Sequence, residues 1–251
     1  FATRVNEFGL IETVTNLGSN LVQNGNFEEL GSEQVSNGNF ALGSELITNG
    51  DFENGDTDWT LGSGWSIADG KANCDGTQSA TSFCIQTTTS TVGKTYVVSA
   101  TVSDISSGTC YLQIGSMLGD AITTDGTYTQ YITAISTSSF RLRAQSDFIG
   151  SIDNVSVKEV TDWTLGSNWS VENNEAIADG TQGYLVQTGT PPSGTSGTYK
   201  FEWTQEITSG TRFRIFPRNG NDSASAGVTI VSGSTTGSGS FSTGGNCRNI
   251  L

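Results

Sequence analysis

Histidine is absent from the 251 residues, proline occurs 3 times, and Lys plus Arg number 11 against 25 for Asp plus Glu. Each shortage removes a class of function. Without histidine there is no Ser-His or Cys-His nucleophile pair, no imidazole general base and no histidine zinc ligand. A formal net charge of −14 leaves no basic stripe to neutralise phosphates, which sets nucleic acid aside as a partner. No apolar run reaches the ~18 residues of a helical membrane span. No stretch holds a helical period long enough to predict a helix. No signal-peptide pattern occurs, but the chain begins at Phe1 rather than Met and reads as a processed or partial piece of something longer.

What is abundant is glycine, 32 residues, together with Ser, Thr and Asn. Charged residues make up only 14%. Apolar residues recur at strand spacing throughout, so the chain is not a disordered acidic tail; it reads as a β-rich extracellular or virion-type surface. The four cysteines, Cys74, Cys84, Cys110 and Cys247, have no zinc-ligand spacing. Two readings stand for them: a local Cys74–Cys84 disulfide, or small apolar core residues within "SFCIQ" and "TCYLQIG".

The chain repeats itself. "TDWTLGSGWSIADGKANCDGTQ" begins at Thr57 and "TDWTLGSNWSVENNEAIADGTQ" at Thr161, with Trp59 and Trp163 standing 104 positions apart. "GKTYVVSATVSDISSGTCYLQIG" likewise lies beside "SGTYKFEWTQEITSGTRFRIFPRNG". Two tandem domains of ordinary size follow. Alternation in "TYVVSATVSD" and "TCYLQIG", joined by a Ser-Ser-Gly turn, predicts a hairpin. "TYTQYITAI", "SFRLRAQ" and "SIDNVSVKEV" predict three more strands. The fold class is therefore all-β: two tandem β-sandwich (jelly-roll) domains, residues 46–160 and 161–251, behind an extended N-terminal segment, 1–45. "GSGSFSTGG" reads as a loop or weak strand. Trp59, Trp65, Trp163 and Trp169 could stack on sugar rings. Their identical spacing in both copies suits a core role better.

A short motif recurs inside the N-terminal segment: Asn-Gly-Asn-Phe at 24–27 and 37–40, then Asn-Gly-Asp-Phe at 49–52. Only the third copy runs directly into a domain. The first two look like first strands without one. They fit either strand addition to a sheet edge in this chain or a neighbour, or a repetitive extended stalk.

"LITNGDFENGDTDWTLGSGWSIADGKA", "GKTYVVSATVSD" and the closing "GSIDNVSVKEV" resemble the carbohydrate-binding-module-like β-jelly-roll domains of the galactose-binding-like superfamily, in the wording of bacteriophage structural and receptor-binding proteins. "ATRVNEFGLIETV" near the N-terminus resembles a segment that precedes adhesive modules in phage tail proteins. The second domain departs from the pattern at both ends: no NGDF strand stands before Thr161, and no "IDNVSV" strand follows "NCRNIL".

The resemblance implies a structural calcium between opening loop and last strand, at Asp51, Glu53 and Asp153 with Asn154 beside it, in the first domain only. The alternative is that Glu53 and Asp153 accept turn hydrogen bonds. It also implies a glycan-binding surface. Alternation puts Tyr111 and Gln113 on one strand face, Arg141 and Arg143 on another, and Arg212, Arg214 and Phe216 together in the second domain. A solvated, ligand-free face is the bland reading. Asp56 and Asp58 could be written as a glycosidase pair, but they sit in a Gly/Asn-rich turn and read as solvated loop carboxylates, so no enzyme activity is expected. The function expected is a virion surface structural protein, a capsid decoration or a tail or head fibre. It would be a homo-oligomer, with a trimer as the first guess, contacting other virion proteins and host glycans. The alternative is a non-catalytic accessory region of a secreted polysaccharide-active enzyme or bacterial adhesin.

Overall fold

The computed structural model describes residues 2–5, 11–14, 31–181, 183–188, 197–204, 213–215, 217–219, 228–230, 236–243 and 247–250. The chain divides into two compact units, Phe1–Gln34 and Val35–Leu251. In the first, β1 (Ala2–Val5) pairs antiparallel with β2 (Ile11–Val14). The first NGNF copy, Asn24–Phe27, lies outside the described residues.

The second unit starts at Val35. Its opening strand is β3 (Leu42–Glu45). The strands that follow are β4 (Trp59–Leu61), β5 (Trp65–Ala68), β6 (Lys71–Asp75), β7 (Ser82–Gln86), β8 (Thr95–Ser107), β9 (Cys110–Ile114), β10 (Met117–Leu118), β11 (Gly126–Thr133), β12 (Phe140–Ala144) and β13 (Ile149–Val160). They form two antiparallel sheets, ordered β10-β9-β12-β7-β4 and β11-β8-β13-β6-β5, with β3 added to β13. Every described segment of regular structure is strand; the protein is all-β.

The alternation explains the sandwich. Tyr96, Val98, Ala100 and Val102 of β8 and Ile152 and Val157 of β13 point inward from one sheet. Cys84, Leu112, Ile114, Phe140 and Leu142 point inward from the other, and all belong to one buried cluster. Each large side chain removed from water there stabilises by about 1.5–3 kcal/mol. Trp59 and Trp65, 6% and 7% exposed, sit in the same cluster, as their spacing suggested.

The predicted β8–β9 hairpin does not form. β8 pairs with β11 and β13, and β9 with β10 and β12. The Ser-Ser-Gly turn instead carries the chain from one sheet to the other. Gly108 makes that crossing at φ +75, and a Cβ there would lie 2.5 Å from the Asp147–Phe148 backbone, so only glycine fits.

The second repeat continues with β14 (Thr164–Leu165), β15 (Trp169–Glu172), β16 (Glu175–Ala178), β17 (Leu185–Thr188), β18 (Gly197–Thr204), β19 (Phe213–Ile215), β20 (Pro217–Asn219), β21 (Val228–Ile230), β22 (Thr236–Thr243) and β23 (Cys247–Ile250). Their pairings are β14-β17-β23-β20, β15-β16, β18-β22 and β19-β21. "GSGSFSTGG" thus lies largely in strand β22 rather than in a loop. The two repeats fold alike locally. Asp75 Oδ1 accepts from the Thr77 amide and hydroxyl at 2.9 and 2.7 Å, and Asp179 Oδ1 from those of Thr181 at 2.8 and 2.6 Å. These hydrogen bonds hold both carboxyls below the usual carboxylate range.

The second NGNF copy is not an orphan. The Trp163 indole donates to the Asn37 carbonyl at 2.9 Å, as the Trp59 indole donates to that of Asn49 at 2.9 Å. Phe40 packs on Trp163 with centroids 5.0 Å apart and Phe52 on Trp59 at 5.0 Å. Asn37 and Phe40 have φ of 47 and 53, Asn49 and Phe52 of 49 and 52. A left-handed phenylalanine costs about 1–2 kcal/mol, and both copies hold it through the same ring contact. Gln187 brackets Ser36, donating to its carbonyl and accepting from its amide. Gln86 brackets Thr48 the same way, at 2.7 and 2.8 Å. The expectation that the second repeat lacks an NGDF-like opening is therefore corrected. Its opening lies upstream of the first repeat, which is inserted between that opening and the rest.

β3 runs into the insertion and the end of β13 runs out, paired Glu45 to Lys158 and Leu42 to Val160. Glu45 clasps this stem: its carboxylate accepts from Val157 N at 2.7 Å and Ser156 Oγ at 2.5 Å. A second tie joins the repeats. Tyr131 Oη donates to the Val171 carbonyl and accepts from the Val171 amide, both at 2.9 Å. Burial raises the Tyr131 phenol above its ordinary value.

Candidate carbohydrate-binding face

The sheet β10-β9-β12-β7-β4 turns one face to the core, and the residues between the buried ones form its other face. The register places them in rows. Arg141 stands between Gln113 on β9 and Ile85 on β7. Arg143 stands between Tyr111 on β9 and Phe83 on β7. Thr60 on β4 lies opposite Ile85. The four first-domain residues singled out from the sequence, Tyr111, Gln113, Arg141 and Arg143, are thus brought together. Phe83 joins them. Alternation within "SFCIQ" was the signal for it, since Cys84 at its centre faces the core.

Each guanidinium lies over a ring. Arg141 Cζ is 5.8 Å from the Phe83 centroid and Arg143 Cζ 5.7 Å from that of Tyr111. Both distances fall within cation–π range, where the attraction is about 0.5–1 kcal/mol in exposed settings. The ion pairs seen among the described residues are Lys71–Asp104 and Lys94–Glu159, and neither arginine has a carboxylate partner. Arg143 Nε and Gln113 Oε1 are buried without a hydrogen-bond partner. An unpaired polar atom of this kind costs about 1–3 kcal/mol. Beside Phe83 a shallow cavity of about 300 Å³ is lined by Thr60, Leu61, Gln78, Ser82 and Ile85, among others. The face therefore offers two forked cationic donors, each over a ring, an amide oxygen and an adjoining recess.

The other predicted site residues fare differently. Arg212 lies outside the described residues; Arg214 is in β19, but its side chain lies outside them, as does Phe216. Of the residues expected at a calcium site, Asp51 and Asp153 accept local hydrogen bonds. Among the described residues no three Asp, Glu or Cys side chains converge as metal ligands. Asp153 accepts from its neighbour Asn154, amide at 2.6 Å and side chain at 3.0 Å. Asp51 accepts from the Glu53 amide at 3.4 Å. The β13–β8 register shifts between Asp153 and Ser156, and Asn154 has φ 52. Asp58 accepts the Thr48 hydroxyl at 2.8 Å.

The cysteine alternatives resolve in favour of the core. Cys74, Cys84 and Cys110 are free and buried. Burial pushes the Cys84 and Cys110 thiols up to about 12 and also raises that of Cys74.

No known protein family's sequence pattern matches the chain, and no curated protein matches it. Among solved structures it is similar to the N-terminal tandem CBM22-1–CBM22-2 pair of Xyn10C from Paenibacillus barcinonensis, with a TM-score of 0.37 and 11% identity over 83% of this chain and 89% of that one.

Proposed function

We propose that this chain is a non-catalytic glycan-binding structural protein of a phage virion surface, and that the face of Tyr111, Gln113, Arg141, Arg143 and Phe83 takes an acidic saccharide. The observation that carries the binding reading is the pair of arginines, each over a ring and without a carboxylate partner, side by side on one sheet face. A guanidinium fork matches a carboxylate in two parallel hydrogen bonds. The ring faces suit the apolar side of a pyranose. In a chain of net charge −14, two cations left without acidic neighbours suit an anionic ligand. The virion setting rests on the sequence likeness of the NGDF–IDNVSV module and the "ATRVNEFGLIETV" segment to phage proteins. It implies a homo-oligomer, for which a trimer is the first choice.

The test is a glycan array with the full chain, followed by titration of the best acidic oligosaccharide. The Arg141→Ala/Arg143→Ala variant should bind at least about tenfold more weakly, a loss of about 1.4 kcal/mol, with an unchanged melting temperature. Binding of wild type should weaken as salt rises. Equal affinity of variant and wild type rules the face out. Immunogold labelling of phage particles with antibody to this chain tests the virion setting.

A further inference from the structure

Among the described residues five glutamines are buried: Gln78, Gln86, Gln113, Gln130 and Gln187. Four of them spend their amides on backbone. Gln86 brackets Thr48 and Gln187 brackets Ser36. Gln130 accepts from the Asp120 amide at 3.1 Å and donates to its carbonyl at 3.3 Å. Gln78 donates to the carbonyls of Gln145 and Phe148 at 2.9 and 2.8 Å. Gln113 is the exception. It is 9% exposed, and its Oε1 is buried without a hydrogen-bond partner. A buried amide oxygen in this condition has lost its water and gained no bond from the fold.

The exception stands at the arginine face. Tyr111 and Gln113 lie on the same side of β9, about 6.5–7 Å apart by strand rise. On β12, Arg143 is opposite Tyr111 and Arg141 opposite Gln113. The two guanidiniums lean opposite ways: Arg143 lies over Tyr111, on the β9 side, and Arg141 over Phe83, on the β7 side. Along β9 the face therefore presents a guanidinium, whose Nε has no partner, and then a carboxamide two residues on. The oxygen and nitrogen of a glutamine amide fill nearly the same space, and its last torsion is two-fold. A half-turn brings Oε1 to where Nε2 stood. Such a group offers one acceptor beside one donor, the complement of two neighbouring hydroxyls.

We propose that Gln113 is the specificity-determining residue of this face, and that the ligand is a uronic acid whose two hydroxyls across the ring from the carboxylate are free; this rests on the face taking an acidic saccharide. The carboxylate pairs with Arg143. The far hydroxyl pair reaches Gln113, where one hydroxyl donates to Oε1 and its neighbour accepts from Nε2. One pyranose with its substituents spans the roughly 6.5–7 Å between the two positions. A sugar carrying that pair esterified leaves Oε1 unmet. A site built on a hydrogen bond rejects such an analogue more strongly than an apolar pocket does.

The test titrates an oligogalacturonate, and the same oligomer acetylated at those hydroxyls, into the full chain and its Gln113→Met variant. Methionine keeps the length of the side chain and removes the amide. Wild type should bind the free oligomer at least about tenfold more tightly than the acetylated one, and the variant should bind the two alike, within about twofold. A preference that survives in the variant, or a wild type that shows none, overturns the proposal. A wild type that binds neither oligomer also overturns it. In that case another acidic saccharide, bound through Arg141 and Arg143, leaves the acidic-saccharide reading standing, and binding of no acidic saccharide removes both. A second measurement needs no ligand. Gln113→Met should melt no lower than wild type, because no intramolecular hydrogen bond is lost. Gln86→Met, which loses its bracket on Thr48, should melt lower. An equal drop in both variants makes Gln113 a support of the fold and overturns the proposal.

Discussion

The indole nitrogen of Trp163 donates a 2.9 Å hydrogen bond to the carbonyl of Asn37, a residue 126 positions earlier. Between the two lies the whole of the first sandwich. Asn37 secures both ends of that insertion: its side chain donates to the Ala41 carbonyl at 2.9 Å and to the Thr161 carbonyl at 3.0 Å. Asn49 plays the same part within the first repeat, donating to the Gly55 and Thr57 carbonyls at 2.9 Å each. Thr57 and Thr161 head the two copies of the TDWTLGS motif, so one capping device is used once locally and once across an inserted domain.

The insertion makes the second repeat depend on residues that precede the first. Phe40→Ala removes a half-buried ring from Trp163, at a cost of about 2 kcal/mol, below the range for a fully buried Phe. That cost falls on the second repeat alone. Amide exchange should quicken at Leu185–Thr188 and stay slow along β8. Equal loss in both repeats would contradict the nested arrangement.

Two glycines at equivalent places predict opposite outcomes. A Cβ on Gly50 would stand 2.1 Å from the Val155 carbonyl, where the opening loop meets β13. One on Gly38 would meet only Val35, at 3.6 Å. Gly50→Ala should lower stability by about 1–3 kcal/mol or more through overpacking, and Gly38→Ala should be close to neutral. Thermal unfolding of both variants checks the pair.

The buried thiols set an alkaline limit. Cys84 and Cys110 carry folded values of about 12, against 9.0 for the free thiol. A group raised on folding supports stability fully below its unfolded value and loses that support as pH climbs toward the folded one. Urea-unfolding stability should therefore decline between about pH 9 and pH 12, more shallowly in Cys84→Ala. In the native protein at pH 8, Cys74, Cys84 and Cys110 should resist a thiol reagent that labels them readily in urea.

Much of the first repeat was legible because alternation is local. "FRLRA" and "CYLQI" each announce one inward and one outward row, and the register laid Arg141, Arg143, Tyr111 and Gln113 side by side. The β8–β9 junction was misread for a physical reason: a Ser-Ser-Gly turn serves a hairpin and a crossing between sheets equally well, and only the backbone near Asp147 decides. The nested opening was hidden for another reason. Trp59 and Trp163 offer the same surface to any NGNF copy, so no local pattern assigns a copy to its tryptophan.

The most direct test of the nested arrangement is the nuclear Overhauser effect between the Phe40 ring and the Trp163 indole in the full chain. The Phe52–Trp59 pair, at the same 5.0 Å centroid separation, is an internal standard. Cross-peaks of similar strength for both pairs are predicted. A Phe52–Trp59 cross-peak with none between Phe40 and Trp163 would contradict the account, leaving the second repeat without the opening segment assigned to it here.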